Sequence, residues 1–150
     1  MFRRILSCTV ALAIASCSPN ITVVNHSPSL AVQEAQTFAQ TALIKHDFQK
    51  AYELFGESGK TLTSFDQFTE ALRSCHPIAF PLSVTATEYE PIHGQRGMNI
   101  YLLGENGNEK FYYRFSMEGV KETGYKVCGF WRHDGPYPPS SSRIRLDQSL

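Results

Sequence analysis

The sequence predicts an α+β domain: three N-terminal helices packed on a curved antiparallel sheet of about four strands. Between residues 28 and 76, apolar residues recur every three or four positions, which is the spacing of one helical face. From Phe80 onwards they alternate with polar residues, as in half-buried strands. The helices come first as a block and the strands follow as a block, which is typical of α+β domains. The apolar faces of the helices must therefore pack on the apolar face of the sheet.

The first helix begins near Ser27, with Pro28 at the first helical position, where its fixed φ and missing N–H are tolerated. The residues at Lys45–Asp47 break the apolar pattern and end the helix. The predicted buried face has the i, i+3, i+4 spacing and consists of Ala35, Phe38, Ala39, Ala42 and Leu43.

Asp47 is placed to cap a short second helix, because its carboxylate can accept from the free N–H groups of the first turn. Gly56 and Gly59 are expected to end this helix. Its predicted inward residues are Phe48, Ala51, Tyr52 and Phe55.

Ser64 and Gln67 form a capping box that predicts the start of a third helix. Pro77, just after Cys75 and His76, ends it, because proline cannot continue the backbone hydrogen bonds. The predicted inward residues are Phe65, Phe68 and Leu72.

Four strands are predicted. In the first, Leu82, Val84 and Ala86 point inwards; the second covers residues 98–103. The turn over residues 104–108 contains an Asn-Gly pair typical of hairpins. Residues 125–131 form the closing strand. The returning strand, 110–117, places on one face Phe111, Tyr113, Phe115 and Met117.

Residues 133–150 form a tail rich in proline and serine, which the composition predicts to be loose. Whether residues 143–150 fold back as a further strand is left open by the sequence.

The N-terminus is typical of an exported protein. Arg3 and Arg4 precede an apolar run, Ile5–Ala15, of eleven residues. A membrane-spanning helix needs about 20 residues, so this run fits the apolar part of a cleavable signal peptide. The alternatives are an ordinary secreted protein with a coincidental cysteine and a buried apolar helix.

The order aliphatic, small, small, cysteine at Ile14–Cys17 resembles the lipobox of bacterial lipoproteins. This resemblance implies cleavage before Cys17 and acylation of that residue, with more than the two lipid signals that stable anchoring needs. Ser18 stands where an inner-membrane retention signal carries aspartate. By resemblance to enterobacterial sorting, the protein is expected in the cell envelope, facing the periplasm, and at the outer rather than the inner membrane.

Four segments follow from these features: a signal peptide (1–16), the lipidated cysteine with a tether (17–28), one domain (29–132) and the tail (133–150). Removing Arg3 and Arg4 from the 14 basic residues leaves 12 against 14 acidic ones. Because no basic stripe is present, a nucleic-acid partner is not expected.

Cys75 and Cys128 are the two thiols left once Cys8 is cleaved off with the signal and Cys17 is acylated. In an oxidising compartment they are expected to form a disulfide, which on the loop-entropy account contributes about 4 kcal/mol. The alternative is two separate buried thiols.

Four segments together resemble the nuclear transport factor 2-like superfamily, also called cystatin-like: Leu43–Phe48, Lys50–Phe55, Ser64–Phe68 and Gly124–Val127. The resemblance implies a cone of helices and curved sheet around a pocket, and a homodimer formed through the outer face of the sheet. The alternative is that the aromatic residues simply fill the core. The pocket lining it implies is Tyr52, Phe55, Phe68, Phe111, Tyr113 and Trp131.

Candidate catalytic side chains are scattered, and no pair has the spacing of a metal site, a phosphate loop or a nucleophile elbow. No cofactor is therefore expected. Two hypotheses remain: a non-catalytic module that binds a small apolar ligand or an envelope protein, and a small isomerase- or hydrolase-type pocket enzyme. The polar candidates considered are His76, Tyr89, His93, Arg114 and His133.

Overall fold

The computed structural model describes residues 24–148 and confirms an α+β domain of helices followed by an open antiparallel sheet. The predicted signal peptide, Cys17 and most of the tether lie outside the described residues. The helices are α1 (Pro28–Ala39), which continues as a π-helical turn over Gln40–Ile44, and α2 (Phe48–Leu54), α3 (Glu57–Leu62) and α4 (Phe65–Ser74). The strands are β1 (Ser83–Pro91), β2 (Gly97–Asn106), β3 (Glu109–Val120), β4 (Gly124–His133) and β5 (Ile144–Arg145), followed by a 3₁₀ turn at Leu146–Gln148.

The three predicted helix starts are confirmed, and two of them have side-chain capping contacts. Pro28 occupies the first turn of α1. The Asp47 carboxylate accepts from the Lys50 N–H at 3.1 Å. In the capping box, the Gln67 N–H donates to Ser64 Oγ at 3.3 Å, and the Ser64 N–H donates to Gln67 Oε1 at 2.9 Å. These signals depend only on residues that are close together in the chain, so they can be recognised in the sequence.

The prediction of three helices was wrong, because a further helix, α3, lies between the second and third predicted ones. Gly56 and Gly59 do not end a helix: Gly56 is the N-cap of α3 and Gly59 lies within it. The contact with β4 explains why. The Gly56 N–H donates to Val127 O at 2.8 Å, and a Cβ on Gly59 would lie 2.6 Å from Cys128 O. Tertiary packing here overrides the low helix propensity of glycine.

The sheet has the order β4-β3-β2-β1-β5 and all its pairs are antiparallel. Register shifts occur between Ala86 and Glu88 in β1, and opposite Ser116 and Met117 in β4. Such bulges bend a strand and increase its twist. The sheet does not close on itself, so β4 remains an edge strand beside α3 and α4.

Two details of the predicted strands were wrong. β2 continues through Gly104 to Asn106, so the turn is only Gly107-Asn108, with Gly107 at φ +59° as the first loop residue. Gly104 is a packing position instead: a Cβ there would lie 2.9 Å from the Tyr113 ring. Leu82 precedes β1 and is 72% exposed, because Pro81 takes the buried place against Gly104.

The core lies between the helices and one face of the sheet, and Phe38 of α1 is at its centre. Its ring packs edge-on against Phe115 of β3, with centroids 5.5 Å apart, and against Phe68 of α4 at 6.1 Å. Phe55 and Phe130 lie within 6.5 Å. The predicted inward face of β3 is confirmed as buried: Phe111, Tyr113, Phe115 and Met117.

The tail is held on the domain rather than loose. After β4 it crosses the outer face of the sheet, and β5 pairs with β1 through Glu88 with Arg145 and Tyr89 with Ile144. This answers the question that the sequence left open. Within residues 24–148, no helix is both long and apolar enough to traverse a bilayer.

Phe38→Ala is expected to lower the free energy of unfolding by about 3–5 kcal/mol, because it leaves a cavity where five elements meet. The measurement is urea unfolding of the mature chain. Phe65→Ala is the matched control, since Phe65 is half-buried and packs on Tyr52 at the edge of the cluster. An equal loss in both variants would contradict the central place of Phe38.

Candidate functional site

A cavity of about 380 Å³ lies between the helices α3 and α4 and the edge strand β4. Among its lining residues, the Phe55 side chain is buried, whereas Leu62 is 84% exposed and Trp131 is 46% exposed. Such a volume is within the range of small-molecule pockets. Its lining is mostly apolar: Phe55, Gly59, Leu62, Thr63, Ala71, Cys75, Cys128, Gly129, Phe130 and Trp131.

Two glycines shape the cavity by allowing close approach. A Cβ on Gly59 would lie 2.4 Å from the Phe55 ring, so only glycine lets α3 pack this closely on β4. A Cβ on Gly129 would lie 2.7 Å from the Trp131 indole, so this ring lies over the backbone of its own strand. Ser58 fixes the same helix, because its hydroxyl donates to the Glu118 carboxylate.

The bulge in β4 decides which aromatic residue faces the core. Phe130 pairs with Phe115, whose side chain points into the core, so Phe130 lies on the inner face of the sheet. Trp131 pairs with Arg114 and lies on the outer face. Strict alternation from Val127 would have placed Trp131 inward in the place of Phe130. Trp131 still borders the cavity, because β4 is an edge strand and the indole lies along that edge.

The six aromatic residues predicted as pocket lining have different places. Phe55 and Trp131 line the cavity. Tyr52 is half-buried and donates its hydroxyl proton to Thr63 O at 2.8 Å. Phe68, Phe111 and Tyr113 are buried in the core. The sequence did not indicate Leu62, Ala71 and Gly59 as lining residues. Leu62 and Gly59 reach the site because they belong to the unpredicted helix α3.

Cys75 and Cys128 line the same cavity, and the structure records both as free thiols. The disulfide therefore stays a prediction. Burial raises the pKa of Cys75, opposed in part by the Arg132 charge, and burial also raises the pKa of Cys128. Since the thiolate is the nucleophile and the metal ligand, neither sulfur is activated for such chemistry.

His76 is buried, which its position before a proline did not indicate. Its Nδ1 lies 2.7 Å from Leu72 O, and its Nε2 lies 2.7 Å from the Tyr113 hydroxyl. A carbonyl only accepts, so Nδ1 carries the proton and Nε2 accepts from Tyr113. Burial lowers the pKa of His76 and raises that of Tyr113. The ring thus ties the end of α4 to β3 as a neutral, fully bonded side chain, and it does not border the cavity.

The other polar candidates do not come together. Tyr89 is buried on the inner side of β1, and His93 and His133 are exposed. The Arg114 guanidinium lies 4.6 Å from the centre of the Trp131 ring on the outer face. Across the part of the chain that the structure describes, no three histidine, cysteine or acidic side chains are grouped so that they could hold a metal ion.

Comparison with protein-family models, with curated proteins and with solved structures finds no match to this chain. What the domain does is therefore inferred from its own residues and their geometry.

His76→Leu is expected to cost about 2–4 kcal/mol of unfolding free energy, because it leaves the Tyr113 hydroxyl and Leu72 O without their partner. It should also change the pH dependence. Burial lowers the pKa of His76 in the folded state, whereas the unfolded chain binds a proton below about pH 6.5, so the wild type loses stability as the pH falls from there.

Urea unfolding between about pH 7.5 and about pH 5, a range that includes the ordinary pKa of histidine, measures both effects. The exposed His93 provides the control, since His93→Leu should change stability by less than about 0.5 kcal/mol. A His76→Leu protein with the same acid slope as the wild type would show that His76 is not the buried titrating group.

Proposed function

We propose that the chain is a lipid-anchored protein of the bacterial cell envelope whose domain acts as a non-catalytic binding module. The observation that carries the binding role is the apolar cavity beside β4, with Leu62 and Trp131 exposed at it. Exposed apolar side chains next to a cavity are typical of binding sites. We propose that the ligand is a small, uncharged apolar molecule. The residues that line the cavity include no charged side chain that could pair with a charged or polar ligand.

The anchoring role is supported by the sequence of residues 1–17 and by the fold behind it. Asn25–Ser27 lie against the turn between β3 and β4: Asn25 O accepts from the Lys121 N–H at 3.1 Å, and the Ser27 N–H donates to the Tyr125 hydroxyl at 2.9 Å. Residues 25–27 are therefore held on the domain, and we propose that the residues that follow Cys17 serve as the tether.

We also propose that the domain is a distant relative of the nuclear transport factor 2-like superfamily. The order of helices before a bulged antiparallel sheet is consistent with this membership. The alternative function, a pocket enzyme of the isomerase or hydrolase type, needs an ionisable group at the base of the cavity. The ionisable side chains in the lining are the thiols of Cys75 and Cys128, and burial raises the pKa of both. His76 and Tyr113 are bonded to each other and do not line the cavity.

Binding can be followed through Trp131, the one tryptophan of the chain. We expect an uncharged naphthylamine dye to bind the mature protein and to quench Trp131 emission by energy transfer. Leu62→Ser should weaken binding about tenfold, because it removes roughly 1–2 kcal/mol of apolar contact. Ala71→Phe should abolish it by filling the cavity.

Ile78→Ser is the matched control: Ile78 is 91% exposed but is not part of the cavity lining. Circular dichroism of each variant checks that the fold is intact. Equal affinity for the dye in Leu62→Ser and Ile78→Ser would refute the cavity as the binding site.

Labelled palmitate tests the anchor separately. The wild-type chain should incorporate it when expressed in a bacterium, and Cys17→Ala should not, because the acylated sulfur is gone. Cys8→Ala is the control and should be labelled like the wild type, since Cys8 lies within the cleaved segment. Labelling of Cys17→Ala would rule out the lipobox interpretation, whatever the outcome of the dye experiment.

A further inference from the structure

The segment 134–147, called the strap below, crosses the outer face of the sheet from β4 to β1. The Tyr137 ring packs edge-on against Tyr101 of β2, with centroids 5.1 Å apart. The Arg143 guanidinium lies 4.6 Å from the centre of the same Tyr101 ring on β2. β5 then extends the sheet by pairing with β1. The strap thus covers Tyr101, which is only 8% exposed.

Two carboxylates of β1 provide most of the polar contacts that hold the strap. Glu90 accepts from the Ser142 hydroxyl, from the Ser140 hydroxyl at 3.4 Å, and from the Tyr101 hydroxyl at 2.8 Å. Glu88 pairs with Arg143 at 2.9 Å, and the Arg143 side chain is 6% exposed. Hydrogen bonds to a charged acceptor are about twice as strong as neutral ones, so these contacts depend on ionised carboxylates.

Apolar packing contributes less to the hold. A cavity of about 210 Å³ remains between strap and sheet, lined by Pro136, Tyr137, Arg143, Tyr101, Leu103 and Tyr112 among others. Ile144, the large aliphatic residue of β5, is 41% exposed, and Leu146 is the aliphatic side chain of the strap that packs against the core, where it is half-buried. Segments with few buried apolar contacts are those that open locally before the rest of a protein unfolds.

We propose that the strap is an acid-released cover: protonation of Glu90 frees residues 134–147 from the outer face, while β1–β4 stay paired. Release uncovers Tyr101, Leu103 and Tyr112 and opens the cavity beneath. This inference is independent of the cavity beside β4.

The pH dependence follows from the groups around Glu90. The Ser142 hydrogen bond is the largest influence and holds the pKa of Glu90 below its usual range, although burial opposes it. The strap is therefore held fully above about pH 4.3 and loses its hold as the pH falls below that value.

The other charged groups at this contact are Glu88 of β1, which pairs with Arg143, and Arg114 of β3, which is opposite Tyr101 in the sheet. Asp147 pairs with Arg145 within the strap itself, at 3.3 Å.

Amide hydrogen exchange of the mature chain, followed by mass spectrometry and corrected for intrinsic rates, tests the proposal. Glu90→Gln imitates the protonated side chain at pH 7. It should speed exchange in peptides covering 136–147 by roughly tenfold, while peptides from β2 and β3 stay protected. Ser142→Ala, which leaves the carboxylate in place, should change exchange in the same direction. Wild-type exchange in the strap should rise on acidification below about pH 4.3.

Glu105→Gln is the matched control, because Glu105 is an exposed carboxylate on the same outer face of β2. It should leave the strap protected. Unchanged strap exchange in both Glu90→Gln and Ser142→Ala would overturn the proposal. So would opening of the strap only together with β2 and β3, because the strap would then be an integral part of the sheet.

Discussion

The packing of Phe38 among four other phenylalanine rings is the interaction on which the remaining architecture depends. Because its partners come from β3, β4, α4 and the residue after α2, this one side chain fixes where three helices and two strands meet. Phe68 and Phe115 meet the Phe38 ring edge-on, and because this geometry is directional it orients α1 relative to α4 and β3 as well as burying it. The position of α3, and with it the cavity beside β4, follows from that arrangement.

The signals for helix starts were reliable, whereas the glycines expected to end a helix and to form a turn were misleading. Asp47 and the Ser64–Gln67 box act through hydrogen bonds within a few residues, and Pro28 acts through its fixed φ, so their outcome could be predicted. α3 could not, because its glycines are explained by contacts with β4, some seventy residues away. The bulge at Cys128 was equally hidden, since a one-residue shift in register leaves no mark on composition.

The candidate site illustrates the same distinction. Phe55 was identified because it belongs to a helical apolar pattern, and Cys75 and Cys128 were noticed as thiols. Yet their common cavity depends on an open sheet, on a bulged edge strand and on a helix that the pattern did not predict. The burial of His76 also had no local signal, because its partner Tyr113 lies 37 residues further along the chain.

The connection between β5 and β1 has a consequence for how the chain acquires its structure. β1 to β4 form a meander in which each strand pairs with its neighbour in sequence, so every step closes a short loop. The β5 strand instead pairs with residues about 55 positions earlier, across three completed strands. Closing a loop of that length costs more conformational entropy than closing a hairpin, and it is therefore slower. During synthesis or refolding, docking of β5 is therefore expected as a late event on a surface already formed.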